Sequence, residues 1–87
     1  LPEQAKGTAA KRLSPTRAKF SWAAQKDATG HCIRLGIAPD KLYTSVLLYD
    51  ENEYTATFLD AGTRYFYAVD AFNESGITQG EVRQMEG

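Results

Sequence analysis

Three carboxylates that could take part in acid–base chemistry, Asp50, Glu51 and Glu53, lie close together in the sequence. Paired carboxylates hydrolyse glycosidic bonds when they face each other across a sugar cleft at about 5 to 9.5 Å. These three residues lie on a short polar segment between two apolar runs, and such a segment is typical of a solvated surface turn. Nothing around them would enclose a sugar, so the cluster does not predict a catalytic site.

His31 and Cys32 are the second candidate, because a histidine can activate a cysteine nucleophile. Their segment alternates like a strand, and adjacent strand residues point to opposite faces, so the two side chains cannot easily converge. The chain has only one cysteine and one histidine, which leaves no disulfide framework and no zinc ligand set. We therefore predict no catalytic residue, no metal site and no cofactor, and we do not expect this chain alone to be an enzyme.

Aromatic side chains give the only binding signal. Phe66 and Phe72 alternate away from the core face of their strand, and Tyr43 and Tyr49 flank a segment expected at a sheet edge. Exposed rings can stack on sugars or pack against a neighbouring domain. The alternative is that loops, the termini or neighbouring strands cover them. Phe66, Phe72 and Tyr43 are thus the candidate contact residues, either for another domain or for a sugar.

Composition places the chain among ordinary folded domains. Its 87 residues are enough for one domain, and 43% of them are apolar. No apolar run approaches the ~20 residues of a membrane helix, so we expect no membrane partner. Because the sequence begins at Leu1 rather than Met, we expect a piece of a longer chain.

The charges are unevenly distributed along the chain. Residues 1–34 carry seven of the ten basic residues, whereas residues 35–87 carry nine of the eleven acidic ones. This pattern allows a basic patch for an acidic partner, but it favours two solvated sheet faces of opposite sign. Nucleic-acid binding would require a more basic domain and a recognition motif, so we do not expect it.

The elements that would position these side chains are short strands. Residues 1–8 lack periodicity and predict a linker or a frayed N-terminus, followed by a single domain over residues 9–87. Asp50-Glu51-Asn52 is short and polar, which predicts a hairpin. Gly62, Gly76 and Gly80 are expected at turns or strand ends, where a positive φ is useful. The predicted strands are 9–13, 17–23, 31–37, 42–49, 54–58, one from Tyr65 through Ala71, and 77–82.

Seven short strands without a helical period predict an all-β antiparallel sandwich of the immunoglobulin-like type. Its core should centre on Trp22, since Ala18, Phe20 and Trp22 share one strand face. The other predicted core residues are Ile33, Leu35, Tyr54, Ala56, Leu59, Tyr65, Tyr67, Val69 and Ala71.

The segment Leu59–Gly76, with Gly62, Thr63, Tyr65, Tyr67, Val69, Ala71 and Asn73 at fixed spacing, resembles the E–F corner, F strand and F–G turn of fibronectin type III domains. Trp22 matches the B-strand tryptophan of that family. Tyr65 matches its tyrosine corner, which implies a bond from the phenol to the upstream backbone. Ala61 stands where the family often has proline. The resemblance covers residues 9 to about 84.

A narrower resemblance concerns the segments Ile33–Tyr43 and Tyr67–Thr78. They are similar to the C-terminal type III-like module of some bacterial glycoside hydrolases, namely the family 43 xylosidases and arabinosidases. In those enzymes the catalytic carboxylates lie on a separate β-propeller, so none of them is carried onto this chain. The resemblance implies a secreted or periplasmic parent enzyme whose catalytic domain is the partner of this module.

Three functions follow as expectations. The first is a non-catalytic accessory module that packs against or positions the catalytic domain of a polysaccharide-degrading glycoside hydrolase. The second is a carbohydrate-binding module for a plant polysaccharide, xylan or arabinan. The third is a generic protein-binding or adhesion spacer, although the chain contains no Arg-Gly-Asp tripeptide.

Overall fold

Strands form where apolar and polar residues alternate, because this pattern gives each strand one face for the core and one for solvent. The computed structural model describes residues 1–49 and 51–85, and Asp50, Glu86 and Gly87 lie outside the described residues. The strands are β1 (Ala9–Ser14), β2 (Arg17–Ser21), β3 (Gly30–Gly36), β4 (Thr44–Tyr49), β5 (Glu53–Ala56), β6 (Phe66–Asn73), β7 (Gly76–Thr78) and β8 (Arg83–Gln84).

These strands form two sheets, and every strand pair is antiparallel. The first sheet has the order β1-β2-β5, and the second has the order β4-β3-β6-β7, with β8 also pairing β6. The fold class predicted from the sequence, an all-β immunoglobulin-like antiparallel sandwich, is confirmed.

The core lies between the two sheets and contains the residues that alternation predicts. Phe20, Ile33 and Val69 are the largest fully buried side chains, and Trp22 is 3% exposed beside them. Phe20 meets Tyr67 edge to face, with 5.6 Å between ring centroids. Of the predicted core only Tyr54 is merely half-buried. Met85 closes the core from beyond β8, a position that strand alternation alone does not reveal.

The predicted hairpin after β4 is wrong. β5 pairs with β2 in the first sheet, whereas β4 pairs with β3 in the second, so the segment between them crosses from one sheet to the other. The backbone N–H of Trp22 donates to the Asn52 carbonyl at 3.1 Å and holds the crossing segment against the first sheet. A short polar connection is compatible with both geometries, and only the pairing partner distinguishes them.

Of the last predicted strand, 77–82, only the start forms a strand, as part of β7, and β8 begins just beyond it, so that eight strands are described rather than seven. β7 pairs with the end of β6 at Phe72 and Asn73, and β8 pairs with its beginning at Phe66 and Tyr67. Between them, Gly80 lies so close to β6 that a Cβ atom there would be 2.0 Å from the Val69 carbonyl oxygen. Gly62 and Gly76 have the expected positive φ, but Gly80 is needed for this close approach.

Residues 1–8 form no strand, and they lie against the sandwich. Pro2 is buried, and its carbonyl accepts a hydrogen bond from the Thr78 hydroxyl of β7 at 2.5 Å. The Lys6 carbonyl accepts from the Ala23 N–H at 2.8 Å, just beyond β2. The segment therefore connects the two sheets along one side of the sandwich.

Candidate interaction surface

The side of the second sheet that faces away from the core carries a row of apolar side chains. The pairing of the strands aligns Tyr49 on β4, Gly30 on β3, Phe72 on β6 and Ile77 on β7. Tyr49 is 58% exposed and Ile77 is 61% exposed. Leu47, two residues before Tyr49 and on the same face, is 60% exposed. We refer to Leu47, Tyr49, Phe72 and Ile77 as the apolar outer face.

Gly30 shapes the middle of this row. A Cβ atom on Gly30 would lie 2.6 Å from the Cζ atom of Phe72, so any larger residue would displace that ring. Because Gly30 has no side chain, the rings of Tyr49 and Phe72 meet above it, with centroids 5.6 Å apart and planes at 81°. This edge-to-face contact orders two aromatic side chains on the surface, and ordered rings lose little entropy when a partner covers them.

Beside Leu47, the next row of the same sheet side continues as a closed polar group on β3 and β6. Asp70, only 4% exposed, accepts hydrogen bonds from Arg34 at 2.7 and 3.1 Å and from the Gly80 N–H at 2.8 Å. Cys32 lies opposite Asp70 on β3. Burial raises the pKa of the Cys32 thiol, so the thiol stays protonated at neutral pH and is a poor nucleophile.

His31 and Cys32 point to opposite sides of the sheet, as adjacent strand residues should. His31 is buried in the core, where its ring centroid lies 5.4 Å from that of Trp22. Its Nε2 lies 3.0 Å from Oε1 of Gln25. Burial lowers the pKa of His31, so the ring is neutral at neutral pH. The pair has the geometry of packing and not of a catalytic dyad.

The carboxylates that cluster in sequence at residues 50–53 do not form a site among the residues described. Glu51 and Glu53 are both exposed, and Glu53 pairs with Lys19 across the first sheet at 3.4 Å. Asp50, the third member, lies outside the described residues. Within residues 1–49 and 51–85, no three His, Cys, Asp or Glu side chains come together as a metal site would require.

The three contact residues predicted from the sequence fall in three separate places. Phe72 belongs to the apolar outer face. Phe66 lies on the same side of β6 but six residues away, about 20 Å along the strand, where it pairs with Gly36 and Gln84. Both phenylalanines are half-buried. Tyr43 precedes β4 and is 83% exposed.

Tyr43 borders a groove at one end of the sandwich. The groove has a volume of about 310 Å³, and Ile37 and Phe58 extend from its walls with 64% and 49% of their surfaces exposed. Lys41 and Asp60 add one charge of each sign. We call these five residues, Ile37, Lys41, Tyr43, Phe58 and Asp60, the end groove.

Leu47 and Ile77 are missed by sequence reasoning, because the residues of their predicted strands do not show which strand face is exposed. Alternation within Ser45-Val46-Leu47-Leu48-Tyr49 does place Leu47 and Tyr49 together, but it does not show which face is covered. That information comes from Leu48, which is 8% exposed and faces the core.

Basic side chains gather on the opposite sheet. Lys11, Arg17 and Lys19 are exposed on the first sheet. The expectation of two solvated sheet faces of opposite sign is not met, because the second sheet turns apolar side chains outward. Arg12 does not join the basic side chains at the surface. It donates to the carbonyls of Thr63, Pro15 and Asp60 and lies 5.3 Å from the centre of the Tyr65 ring.

Tyr65 forms the corner that its position in the sequence implies. Its hydroxyl oxygen accepts a hydrogen bond from the Asp60 N–H at 2.8 Å, five residues upstream. The ring is 9% exposed and packs into the core. Together with Arg12, Tyr65 fixes the turn between β5 and β6.

Comparison with solved structures identifies the same architecture elsewhere. The chain superimposes on an Fn3-like protein from Clostridium thermocellum with a TM-score of 0.84 at 23% identity, covering 98% of this chain and 92% of that one. The FN1-FN3 domains of chicken CNTN1 give a TM-score of 0.85 at 27% identity, with 98% of this chain and 30% of that chain covered.

An fn3 domain of the human collagen alpha-1(XX) chain gives a TM-score of 0.83 at 18% identity, covering 98% of this chain and 84% of that one. No family model and no curated protein sequence matches the chain. The neighbours are fibronectin type III domains, and the chain shares their sandwich fold. Among the described residues, no helix is long and apolar enough to cross a membrane.

Proposed function

We propose that this chain is a non-catalytic module of a longer polypeptide and that its apolar outer face packs against a neighbouring domain. The observation that carries the proposal is the exposure of Leu47, Tyr49 and Ile77 around the ordered Tyr49–Phe72 ring pair. Contiguous exposed apolar side chains on a folded domain mark contact surfaces. The buried His31, the protonated Cys32 and the exposed carboxylates fit a module without catalytic activity.

The finer part of the proposal is the identity of the parent protein. The resemblance of Ile33–Tyr43 and Tyr67–Thr78 to the tail of family 43 enzymes supports a glycoside hydrolase of the xylosidase or arabinosidase type. On this basis we infer a secreted or periplasmic enzyme whose catalytic domain lies upstream. The residues encoded before Leu1 decide between parents: a β-propeller with three inward carboxylates supports the enzyme, whereas tandem type III repeats support an adhesion or spacer protein.

The docking surface is tested in the full-length polypeptide. Tyr49→Ser and Ile77→Ser remove exposed apolar contact while leaving the core intact, and each should lower the melting temperature of the neighbouring domain. Leu13→Ser is the matched control, because Leu13 is 55% exposed on the first sheet. If Tyr49→Ser and Ile77→Ser change the melting temperature and the activity no more than Leu13→Ser does, the apolar outer face does not contact the neighbouring domain.

Carbohydrate binding is the second candidate, and the end groove is the observation that favours it. Sugar sites combine aromatic faces, which stack on the apolar side of the ring, with a few polar groups that bind hydroxyls. Tyr43 and Phe58 supply rings, and Lys41 and Asp60 supply polar groups. Titration with xylan and arabinan oligosaccharides should shift the NMR resonances of Tyr43 but not those of Tyr49. No shift in either ring removes this candidate.

A further inference from the structure

β4 lies at one edge of the second sheet, and it contains no charged residue. β4 pairs with β3 on one side, and no other described strand pairs with it. Its register with β3 runs unbroken over six residues, from Thr44 opposite Leu35 to Tyr49 opposite Gly30. An edge strand presents a row of unpaired N–H and C=O groups, which makes it a template for another strand.

The other edges carry the features that normally prevent such pairing. β1 has the charged residues Lys11 and Arg12 and an irregular register before Ser14. β5 has four residues and begins with Glu53, and β7 has only three residues. Short strands, bulges and charges all oppose edge-to-edge association. β4 has none of them, because Thr44–Tyr49 contains no charged residue and no proline.

We propose that β4 pairs antiparallel with the β4 strand of a second copy of this chain. A two-fold axis perpendicular to the sheet keeps the outer sides of both copies together, so each outer residue meets another outer residue. Ser45, Leu47 and Tyr49 then face the same three residues of the second copy. In this register Leu47 faces Leu47 of the second copy, and Tyr49 faces Ser45. No like charges are placed opposite each other within the strand, and Leu47 gains an apolar cross-strand neighbour.

The charges beyond the strand do not oppose a second copy. Lys41 precedes β4, and Glu51 follows it. Antiparallel pairing brings the Lys41 end of one copy to the Glu51 end of the other, twice in each dimer. Asp40 lies beside Lys41 and offsets much of this attraction, so the backbone pairing carries the association. The joined sheets place Leu47 and Tyr49 beside the seam and leave Phe72 and Ile77 uncovered, so the dimer does not require the docking proposal.

Analytical ultracentrifugation of this chain tests the proposal, with Leu47→Lys and Ile77→Lys as a matched pair. The two residues are 60% and 61% exposed on the same side of one sheet but lie on opposite edges. Between about 1 μM and 1 mM the unaltered chain should pass from monomer to dimer, and Leu47→Lys should weaken the dimer at least about tenfold. Ile77→Lys should leave it unchanged.

Hydrogen exchange supplies an independent measurement. Amide exchange in Thr44–Tyr49 should slow as the concentration rises, whereas exchange in β1 should not. If the unaltered chain stays monomeric at about 1 mM, the proposed dimer is overturned, even if another strand binds to β4. Equal loss of the dimer in Leu47→Lys and Ile77→Lys also overturns it, because association would then use the apolar outer face and not the edge.

Discussion

At the scale of single residues, the tyrosine corner depends on one hydrogen bond. Tyr65→Phe removes the hydroxyl that accepts from the Asp60 N–H and leaves that donor unpaired in a partly buried turn. We expect the free energy of unfolding to fall by about 1–3 kcal/mol, measured by urea denaturation.

Tyr43→Phe serves as the control for the tyrosine corner. Tyr43 is 83% exposed, so the loss of its hydroxyl should change stability by less than about 0.5 kcal/mol. Equal effects of the two substitutions would mean that the corner bond contributes nothing specific.

The acid sensitivity of the domain should depend on His31. Because burial lowers the pKa of His31 below its ordinary value of 6.5, the unfolded chain binds a proton at a higher pH than the folded one does. The contribution of His31 to stability should therefore be constant above pH 6.5. It should decline as the pH falls through 6.5 toward the lower pKa of the folded state. Asp27, the nearby carboxylate, attenuates this effect because its charge favours the protonated ring.

Measurement of the unfolding free energy between about pH 7.5 and 4.5 tests this dependence. His31→Gln removes the only histidine, so the slope near 6.5 should disappear. Asp27 cannot produce that slope, because the Glu3 N–H lowers the pKa of Asp27 below its ordinary value of 3.8. A slope that persists in His31→Gln would assign the acid sensitivity to another group.

At the scale of elements, Asp70 holds the segment between β7 and β8 against β6. Replacing Asp70 with Leu leaves the Arg34 guanidinium without its partner and the Gly80 N–H without its acceptor. We expect a loss of about 3–5 kcal/mol in unfolding free energy, together with faster amide exchange at Gly80. The double variant Arg34→Met/Asp70→Leu should recover part of this loss, because it buries no unpaired charge.

The exposed pair of Lys19 and Glu53 provides a comparison for this network. Its side chains are 49% and 64% exposed, so Glu53→Gln should cost no more than about 1 kcal/mol. If Asp70→Leu costs no more than Glu53→Gln, Asp70 does not hold the segment.

The same network shows where prediction from the sequence succeeds and where it stops. Alternation locates Tyr65, Tyr67, Val69 and Ala71 on the inner side of β6, because the period of a strand is fixed by backbone geometry. It cannot show that Ala68 and Asp70, on the outer side, are buried as well. Asp70 is covered by Arg34 and by the segment around Gly80, which are distant from it in sequence and follow no period.

The candidate surfaces have the same limitation. Exposed aromatic residues could be identified by their spacing, but their grouping could not. Phe66 and Phe72 share a strand side and are still separated, whereas Tyr49 and Phe72 come from strands far apart in sequence and are in contact. Which rings form one surface depends on the strand order β4-β3-β6-β7, and no local pattern specifies that order.

At the scale of the whole molecule, the sandwich has a basic outer side, an apolar outer side and a peptide segment that joins the sheets. The apolar side offers a surface for a neighbour, whereas the charged side remains solvated. A module with two unlike sides can be oriented against a neighbouring domain, because burial stabilises the apolar side and not the charged side. The peptide segment of residues 1–8 then matters for the rigidity of the module.

Removal of residues 1–6 tests the role of this segment. The deletion takes away the buried Pro2, the packing of Ala5 against the core and the acceptors of Thr78 and Ala23. We expect a lower melting temperature and faster amide exchange in β7, since both sheets lose a common support. Lys6→Ala is the control, because the Ala23 bond uses the Lys6 backbone carbonyl and the Lys6–Glu3 ion pair is exposed. If the deletion leaves melting temperature and β7 exchange at the control values, residues 1–6 serve only as a linker.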